Sequence, residues 1–178
     1  MDIRAAIGDY LGFFRQQRER LTQLGIDISG LPISHLAYRA RTVDEYRDLR
    51  AAIEKHCCAN VENVWNGRPI SKLRLTDPLD IGDHFSTQLI ELIPPRNRDA
   101  CQMGLEHVGV VVGDGIDTFY TENREKLSGQ PLQSAASEPY FIRFEEDQTM
   151  VKFHRNSLQK ICEIDGHTFD GFYHADQA

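Results

Sequence analysis

The sequence predicts an α+β protein in which paired βαβββ modules form one cupped mixed sheet, preceded by an N-terminal helix. A strand–helix–strands order occurs twice in the 178 residues, from about 31 to 93 and from about 105 to 154. Each opening strand carries a histidine, His35 in the first and His107 in the second. The duplication is one of organisation and not of residue identity. It divides the chain into a helical segment (1–29), a first module (30–98), a second module (99–165) and a C-terminal tail (166–178).

The N-terminal segment has the pattern of an amphipathic helix. Its apolar residues recur at spacings of three and four, and Gly25 stands where a C-cap glycine belongs. We expect this helix to break near Arg18.

The first module begins with the run ISHLAYRA, whose alternation favours a strand. Thr42 and Glu45 form a capping-box pattern, which predicts a helix to about Lys55. Three further strands are predicted near 60–65, 70–75 and 85–93. Turn-forming pairs separate them, namely Asn66-Gly67 and Asp77-Pro78, and Pro94-Pro95 closes the module.

The second module repeats this order from Leu105, with the strand LEHVGVVV and a turn between Gly113 and Gly115. A helical pattern follows to Leu127, and strands are predicted around 139–144 and 149–154.

Composition excludes several classes of function. The formal net charge is −7, and no basic run interleaved with aromatic residues is present, so nucleic acid is not an expected partner. A signal-peptide pattern and a long apolar stretch are also absent, which predicts a soluble, cytoplasmic protein without a membrane partner. The spacing of the four cysteines favours reduced thiols with structural roles.

A metal site is the main functional hypothesis. If a pseudo-twofold axis relates the modules, His35 and His107 project into the same space. The last strand of each module also ends in a potential ligand, Glu91 in the first and His154 in the second. This set of nitrogen and oxygen donors suits Zn, Fe(II), Mn, Ni or Co, and the lack of cysteine argues against a closed structural zinc site.

Glu91 is the informative member of the set. It interrupts the apolar run LIELI, where an unpaired charge would be costly. Simpler interpretations remain open: a strand histidine is often a core or edge residue, and Glu91 can pair with Arg39 or Arg68. His154 is interpreted either as a ligand or as a residue that covers the site.

Other charged residues have two interpretations each. Glu106 would point away from the site if its strand were regular, which favours an ion pair. Arg39, Arg68 and Lys152 are candidates for binding an anionic substrate, or are solvated surface charges. The remaining histidines are interpreted as surface or packing residues.

Several segments resemble those of a known family. They are SHLAYR from Ser34, NGRPI from Asn66, IELIP from Ile90, LEHVGVVV from Leu105 and VKFHRNSLQKI from Val151. Over most of its length, from about 24 to 163, the chain resembles the YecM-like family of bacterial proteins. That family is placed in the vicinal oxygen chelate (glyoxalase/bleomycin-resistance/extradiol dioxygenase) superfamily.

The resemblance implies a glyoxalase/bleomycin-resistance/dihydroxybiphenyl dioxygenase-like fold with a divalent metal bound by the first and last strands of each module. His35, Glu91 and His107 occupy such positions, and His154 is the nearest candidate for a fourth ligand. The chain departs from the expected pattern at Ser34, where Asp is expected, and at His154, where many superfamily enzymes have Glu. A His-Glu-His triad, which resembles that of extradiol dioxygenases, survives both departures.

Three functions follow as hypotheses. The first is a metal-dependent isomerase, lyase or dioxygenase acting on a small substrate with adjacent oxygens, with Glu106 or Lys152 as acid/base or anchoring groups. The second is a metal-free module that binds a small molecule. The third is a structural protein whose histidines have no role in binding. Both a monomer and a homodimer are compatible with the sequence.

Overall fold

The computed structural model of the protein describes residues 2–65, 67–96, 102–129 and 139–175. Five α-helices lie in these ranges: α1 (Ile3–Ile7), α2 (Tyr10–Gln23), α3 (Val43–Glu54), α4 (Ile116–Asn123) and α5 (Leu158–Ile164). Eight strands accompany them: β1 (Ile33–Arg39), β2 (Cys57–Trp65), β3 (Arg68–Gly82), β4 (Phe85–Ile93), β5 (Gly104–Val111), β6 (Tyr140–Phe144), β7 (Thr149–His154) and β8 (Phe172–Tyr173).

The strands form one mixed sheet in the order β6-β7-β5-β1-β4-β3-β2-β8. The opening strands β1 and β5 are antiparallel neighbours at its centre. Each also pairs in parallel with the last strand of its own module, β1 with β4 and β5 with β7. The predicted α+β fold of two modules around a pseudo-twofold axis is therefore confirmed.

The second module is less completely described than the first. Its described residues form β5, α4, β6 and β7, and Gly129 makes an isolated bridge to Phe141 on β6. Residues 130–138, which follow Gly129, lie outside the described ranges.

The sheet has two faces with different roles. The core face is apolar and packs against residues of α1–α4; its strand residues include Leu36, Tyr38, Leu73, Ile90, Leu92, Val108, Val110, Val151 and Phe153. The opposite face, called the site face below, carries His35, Ala37, Glu91, His107, Gly109 and Lys152 by strand register. All seven residues of β1 are buried, so the central strand is covered on both faces.

The predicted break near Arg18 is wrong. Helix α2 runs without interruption through Arg18, and the break lies instead at Gly8 and Asp9. Gly8 has φ +83°, a conformation that costs glycine little and other residues more, and this ends α1 after five residues.

The predicted turn at Asp77-Pro78 is also wrong. Strand β3 continues through this pair to Gly82, and the sheet absorbs the proline with a register shift between Arg74 and Leu79. The chain turns at Asp83 and His84, which have φ of 53° and 68°. The predicted hairpin before it is present, because Trp65 pairs with Arg68, although Asn66 lies outside the described residues.

Two elements beyond the predicted strands complete the fold. Helix α5 is capped by Ser157, whose side chain accepts a hydrogen bond from Lys160 N. Strand β8 pairs with the edge strand β2, and His174 Nε2 next to it is hydrogen bonded to Glu54 Oε1 at 2.6 Å. In the ranges that the structure describes, no helix is both long and apolar enough to cross a membrane.

Candidate metal centre

Two β-bulges shape the centre of the sheet. Where β1 and β5 pair, Ser34 is an extra residue on β1 and Glu106 is an extra residue on β5. The two are related by the same offset of 72 residues that separates His35 from His107. Each bulge therefore places one additional residue immediately before the histidine of its module.

The bulge residues hold the two imidazole rings through Nδ1. Ser34 Oγ is hydrogen bonded to His35 Nδ1 at 2.9 Å, and it also accepts from Leu158 N at the start of α5 at 2.7 Å. His107 Nδ1 donates to Glu106 Oε1 at 3.1 Å. Because Nδ1 is engaged in each ring, Nε2 is left for the centre of the site, an arrangement common to metal-binding histidines.

The predicted residues His35, Glu91 and His107 are brought together on the site face. The two Nε2 atoms are 3.2 Å apart, and Glu91 Oε2 lies 3.1 Å from His107 Nε2 and 3.7 Å from His35 Nε2. Both rings are fully buried, whereas the Glu91 side chain is 14% exposed, so solvent reaches the triad beside the carboxylate.

The spacing of these three atoms fits a divalent ion. Ligands at about 2.1 Å from a metal lie roughly 3.0–3.4 Å from one another in octahedral or tetrahedral geometry. The observed separations of 3.1, 3.2 and 3.7 Å are close to that range. Two imidazoles and one carboxylate are also a donor set that Zn²⁺, Fe²⁺, Mn²⁺ and Ni²⁺ accept.

Electrostatics keep two of the three groups ready to act as ligands. Burial alone would raise the pKa of Glu91, but the hydrogen bond and charge of His107, followed by the charge of Lys152, hold it well below its usual range. Burial lowers the pKa of His35 well below its ordinary value, against the opposing charge of Glu91. At neutral pH Glu91 is therefore ionised and His35 is neutral.

His154 lies next to this triad but is not one of the three grouped ligands. Its ring centroid is 5.6 Å from that of His35, and the residue is only 5% exposed. Neither ring nitrogen has a hydrogen-bond partner among the described residues. Buried polar atoms in this state are rare in folded proteins, and both ring nitrogens can hydrogen bond or ligate a group bound at the site.

The neutral state of His154 makes stability depend on pH. Burial, followed by the charges of Lys152 and His107, lowers its pKa to about 3. The unfolded chain binds a proton at this histidine below about pH 6.5 while the folded chain does not, so stability falls as pH drops from about 6.5 towards 3. In metal-free wild type, His154 alone should lower the free energy of unfolding by about 2 kcal/mol between pH 6.5 and pH 5. We expect this part of the decrease to be absent in His154→Leu.

Urea denaturation at several pH values in the presence of a chelator measures this difference. Val64→Leu, an exposed substitution that changes no titratable group, is the control and should keep the wild-type pH dependence. An unchanged slope in His154→Leu would show that this histidine is not held neutral.

Lys152, and not His154, is the counterpart of Glu91 by strand register. Glu91 lies opposite Ala37 on β1. The equivalent of Ala37 on β5 is Gly109, and Lys152 on β7 lies opposite Gly109. His154 is two residues further along β7, opposite Val111. The second module therefore presents an ammonium where the first presents a carboxylate.

Glu106 does not point away from the site, because its strand is not regular at this residue. The bulge brings its carboxylate to His107 and to the guanidinium of Arg39, with which it forms the expected ion pair. Arg39 also donates to Pro94 O at 3.2 Å and is only 5% exposed. Its guanidinium is thus bound to Glu106 and Pro94, and its role in substrate binding stays a prediction.

Arg68 is the first residue of β3.

Lys72 lies four residues further along β3, directly opposite Glu91 on the site face. It is 4% exposed, and its Nζ donates to Asn63 Oδ1 and Ile70 O. Burial lowers its pKa, against the charge of Glu91. Lys72 is not among the residues predicted from the sequence, although a lysine inside a strand, between Ser71 and Leu73, is a signal of the same kind as Glu91.

Comparisons with known proteins agree with this fold. A profile described as YecM protein matches residues 2–165. The chain is 23% identical over 176 residues to "Protein YecM" of Escherichia coli (strain K12), covering 90% of this chain and 92% of that one. It is 27% identical over 184 residues to an uncharacterized protein of Haemophilus influenzae, covering 92% and 95%.

Solved structures extend the comparison. A structural-genomics protein, EC4020, has a TM-score of 0.70 at 20% identity, covering 92% of this chain and 91% of that one. Streptomyces coelicolor methylmalonyl-CoA epimerase has a TM-score of 0.47 at 16% identity, covering 70% and 97%, a likeness too distant to indicate a shared function.

The family profile spans nearly the whole of the chain. The protein belongs to the YecM family, as the sequence segments predicted.

Proposed function

We propose that the protein binds one divalent metal ion through His35, Glu91 and His107, and that it is an enzyme acting on a small substrate with adjacent oxygen atoms. The observation that best supports this proposal is the triad itself. Its three ligand atoms come from three strands and lie 3.1–3.7 Å apart, and each histidine is held in place by a hydrogen bond at Nδ1. When bound, the ion would supply Lewis-acid polarisation of the substrate oxygens.

The protein's own residues divide the remaining tasks. Glu106 orients His107 and is neutralised by Arg39, so we assign it to positioning and not to proton transfer. His154 offers two unsatisfied ring nitrogens beside the triad. The predicted acid/base or anchoring role stays with Lys152, whose charge acts on His35 and Glu91. We keep the cytoplasm as the proposed location, where free thiols such as Cys162 persist.

Metal content of tag-free protein tests the proposal. After reconstitution with Zn²⁺, Mn²⁺, Ni²⁺ or anaerobic Fe²⁺, we expect about one ion per chain in the wild type and at least a 100-fold weaker affinity in Glu91→Gln, because a carboxylate ligand is lost. Glu146→Gln, at an exposed position, should behave as the wild type.

The opposite results also have clear meanings. No metal in any reconstituted sample would refute the proposal and favour a metal-free module, whose stabilisation by a small molecule is unaffected by chelators. Equal metal content in wild type and Glu91→Gln would place the metal elsewhere. A positive result justifies screening substrates with adjacent oxygens for isomerase, lyase and dioxygenase activity.

A further inference from the structure

The pseudo-twofold symmetry of the metal centre is broken at one ligand position. The histidines and the bulge residues before them are equivalent in the two modules, but Glu91 is matched by Lys152. A symmetric centre would have two carboxylates, whose charges would neutralise a divalent ion. This centre has one carboxylate and one ammonium in those positions, so an ion bound there remains electropositive.

Lys152 lies on the site face beside the triad and next to the negative charge of Glu91. By strand register Lys152 lies opposite Gly109, the residue against which the ring of His35 packs, so the lysine belongs to the same part of the site face as the triad. The residue is half-buried, and among the described residues it makes no hydrogen bond or ion pair. An ammonium that makes no hydrogen bond keeps all of its donors for a bound ligand.

His154 adds a second, independent observation at the same strand end. It lies two residues after Lys152 on β7, and both of its buried ring nitrogens lack a partner among the described residues. An ammonium and an imidazole N–H are donors that carboxylate oxygens accept. The two residues therefore have the chemistry of an oxyanion-binding pair.

We propose that β7 supplies an oxyanion subsite, formed by Lys152 and His154, in the place of a fourth metal ligand, and that the substrate is a small 2-hydroxy or 2-oxo carboxylate. Such a molecule offers adjacent oxygens to the ion and a negative charge to the lysine. This inference rests on the proposed metal function and narrows its substrate class.

Oxalate is the probe, because it is a dianion with adjacent oxygens. Titration calorimetry on protein loaded with Zn²⁺ or Mn²⁺ should show oxalate binding with the metal retained on the protein. The neutral compound 3-hydroxy-2-butanone, which has adjacent oxygens but no charge, should not bind measurably. Inorganic phosphate distinguishes a general anion site from a carboxylate site, and binding of phosphate as tight as that of oxalate would overturn the substrate class.

Lys152 variants separate the subsite from the metal. We expect Lys152→Met to weaken oxalate binding at least about 10-fold while changing metal affinity little, and Lys152→Arg to retain binding. Lys152→Glu restores the carboxylate found in the first module, so metal affinity should rise about 10-fold or more and oxalate binding should be lost. Lys160→Met, at the exposed surface, is the control.

The outcomes distinguish this inference from the proposed function. Unchanged oxalate affinity in Lys152→Met, or weaker metal binding in a folded Lys152→Glu, would overturn the inference while the metal site stands. If the wild type takes up no metal, the proposed function fails. In that case the subsite is tested on metal-free protein, by comparing the rise in melting temperature that oxalate causes in the wild type and in Lys152→Met. An equal rise in both proteins would overturn the oxyanion subsite.

Discussion

Replacing Arg39 with Met is expected to lower the free energy of unfolding by about 3–5 kcal/mol. The guanidinium of Arg39 and the carboxylate of Glu106 are both almost fully buried, with 7% and 2% of their side chains exposed. Burial raises the pKa of Glu106, and His107 and Arg39 together hold it at about 2. Removing Arg39 leaves this buried carboxylate without its guanidinium partner. Chemical denaturation at pH 7 measures the change.

The matched control is Arg41→Met, two residues along the chain. Arg41 pairs with Glu45 at 3.3 Å, but 61% of its side chain is exposed, so its removal should cost less than about 1 kcal/mol. Replacing Arg39 and Glu106 together with Met should recover much of the loss, because a buried ion pair and an apolar pair of similar volume often have similar stability. Equal destabilisation by Arg39→Met and Arg41→Met would contradict the assignment of Arg39 to the interior.

The grouping of the triad could be predicted because it depends on few assumptions. The repeated order of strands and helix places β1 beside β5 if the modules are related by a pseudo-twofold axis, and alternation puts His35 and His107 on one face. Glu91 stands out because it is a charge in an apolar strand. Neither argument needs the register of strand pairing, only its topology.

The surroundings of the triad depend on register and could not be predicted. A bulge adds one residue to one strand and changes which side chains share a face. Regular alternation predicts that Glu106 points away from the site face, but the bulge brings its carboxylate within hydrogen-bonding distance of His107. Likewise, His154 at the strand end looked equivalent to Glu91, and only the pairing of Gly109 with Lys152 shows that it is not.

Helix α5 illustrates a different limit. Seven residues are too few to form a stable helix alone, so its formation depends on tertiary contacts that a local pattern does not reveal. One such contact is the hydrogen bond from Leu158 N to Ser34 Oγ. Ser34, where Asp was expected from the family pattern, thus keeps a contact with His35 and also joins the helix to the site.

Gly109→Ala is expected to reduce metal affinity on the order of 100-fold by displacing His35. A Cβ on Gly109 would lie 2.5 Å from His35 Nδ1 and closer still to Cε1. The ring cannot move away easily, because it lies between His107 and His154, at centroid distances of 5.2 and 5.6 Å, and is hydrogen bonded to Ser34. A glycine inside a strand often marks such a close approach.

The same substitution should also destabilise the fold by about 1–3 kcal/mol, the usual cost of an extra carbon in a packed interior. Gly115→Ala is the matched control, because its Cβ would meet only Val112 Cγ1 at an ordinary 4.0 Å. Metal affinity is measured by competition with a chromophoric chelator on protein shown to be folded by circular dichroism. Wild-type affinity in folded Gly109→Ala would mean that His35 is not a ligand, since the methyl group and the ring in its metal-binding position occupy the same space.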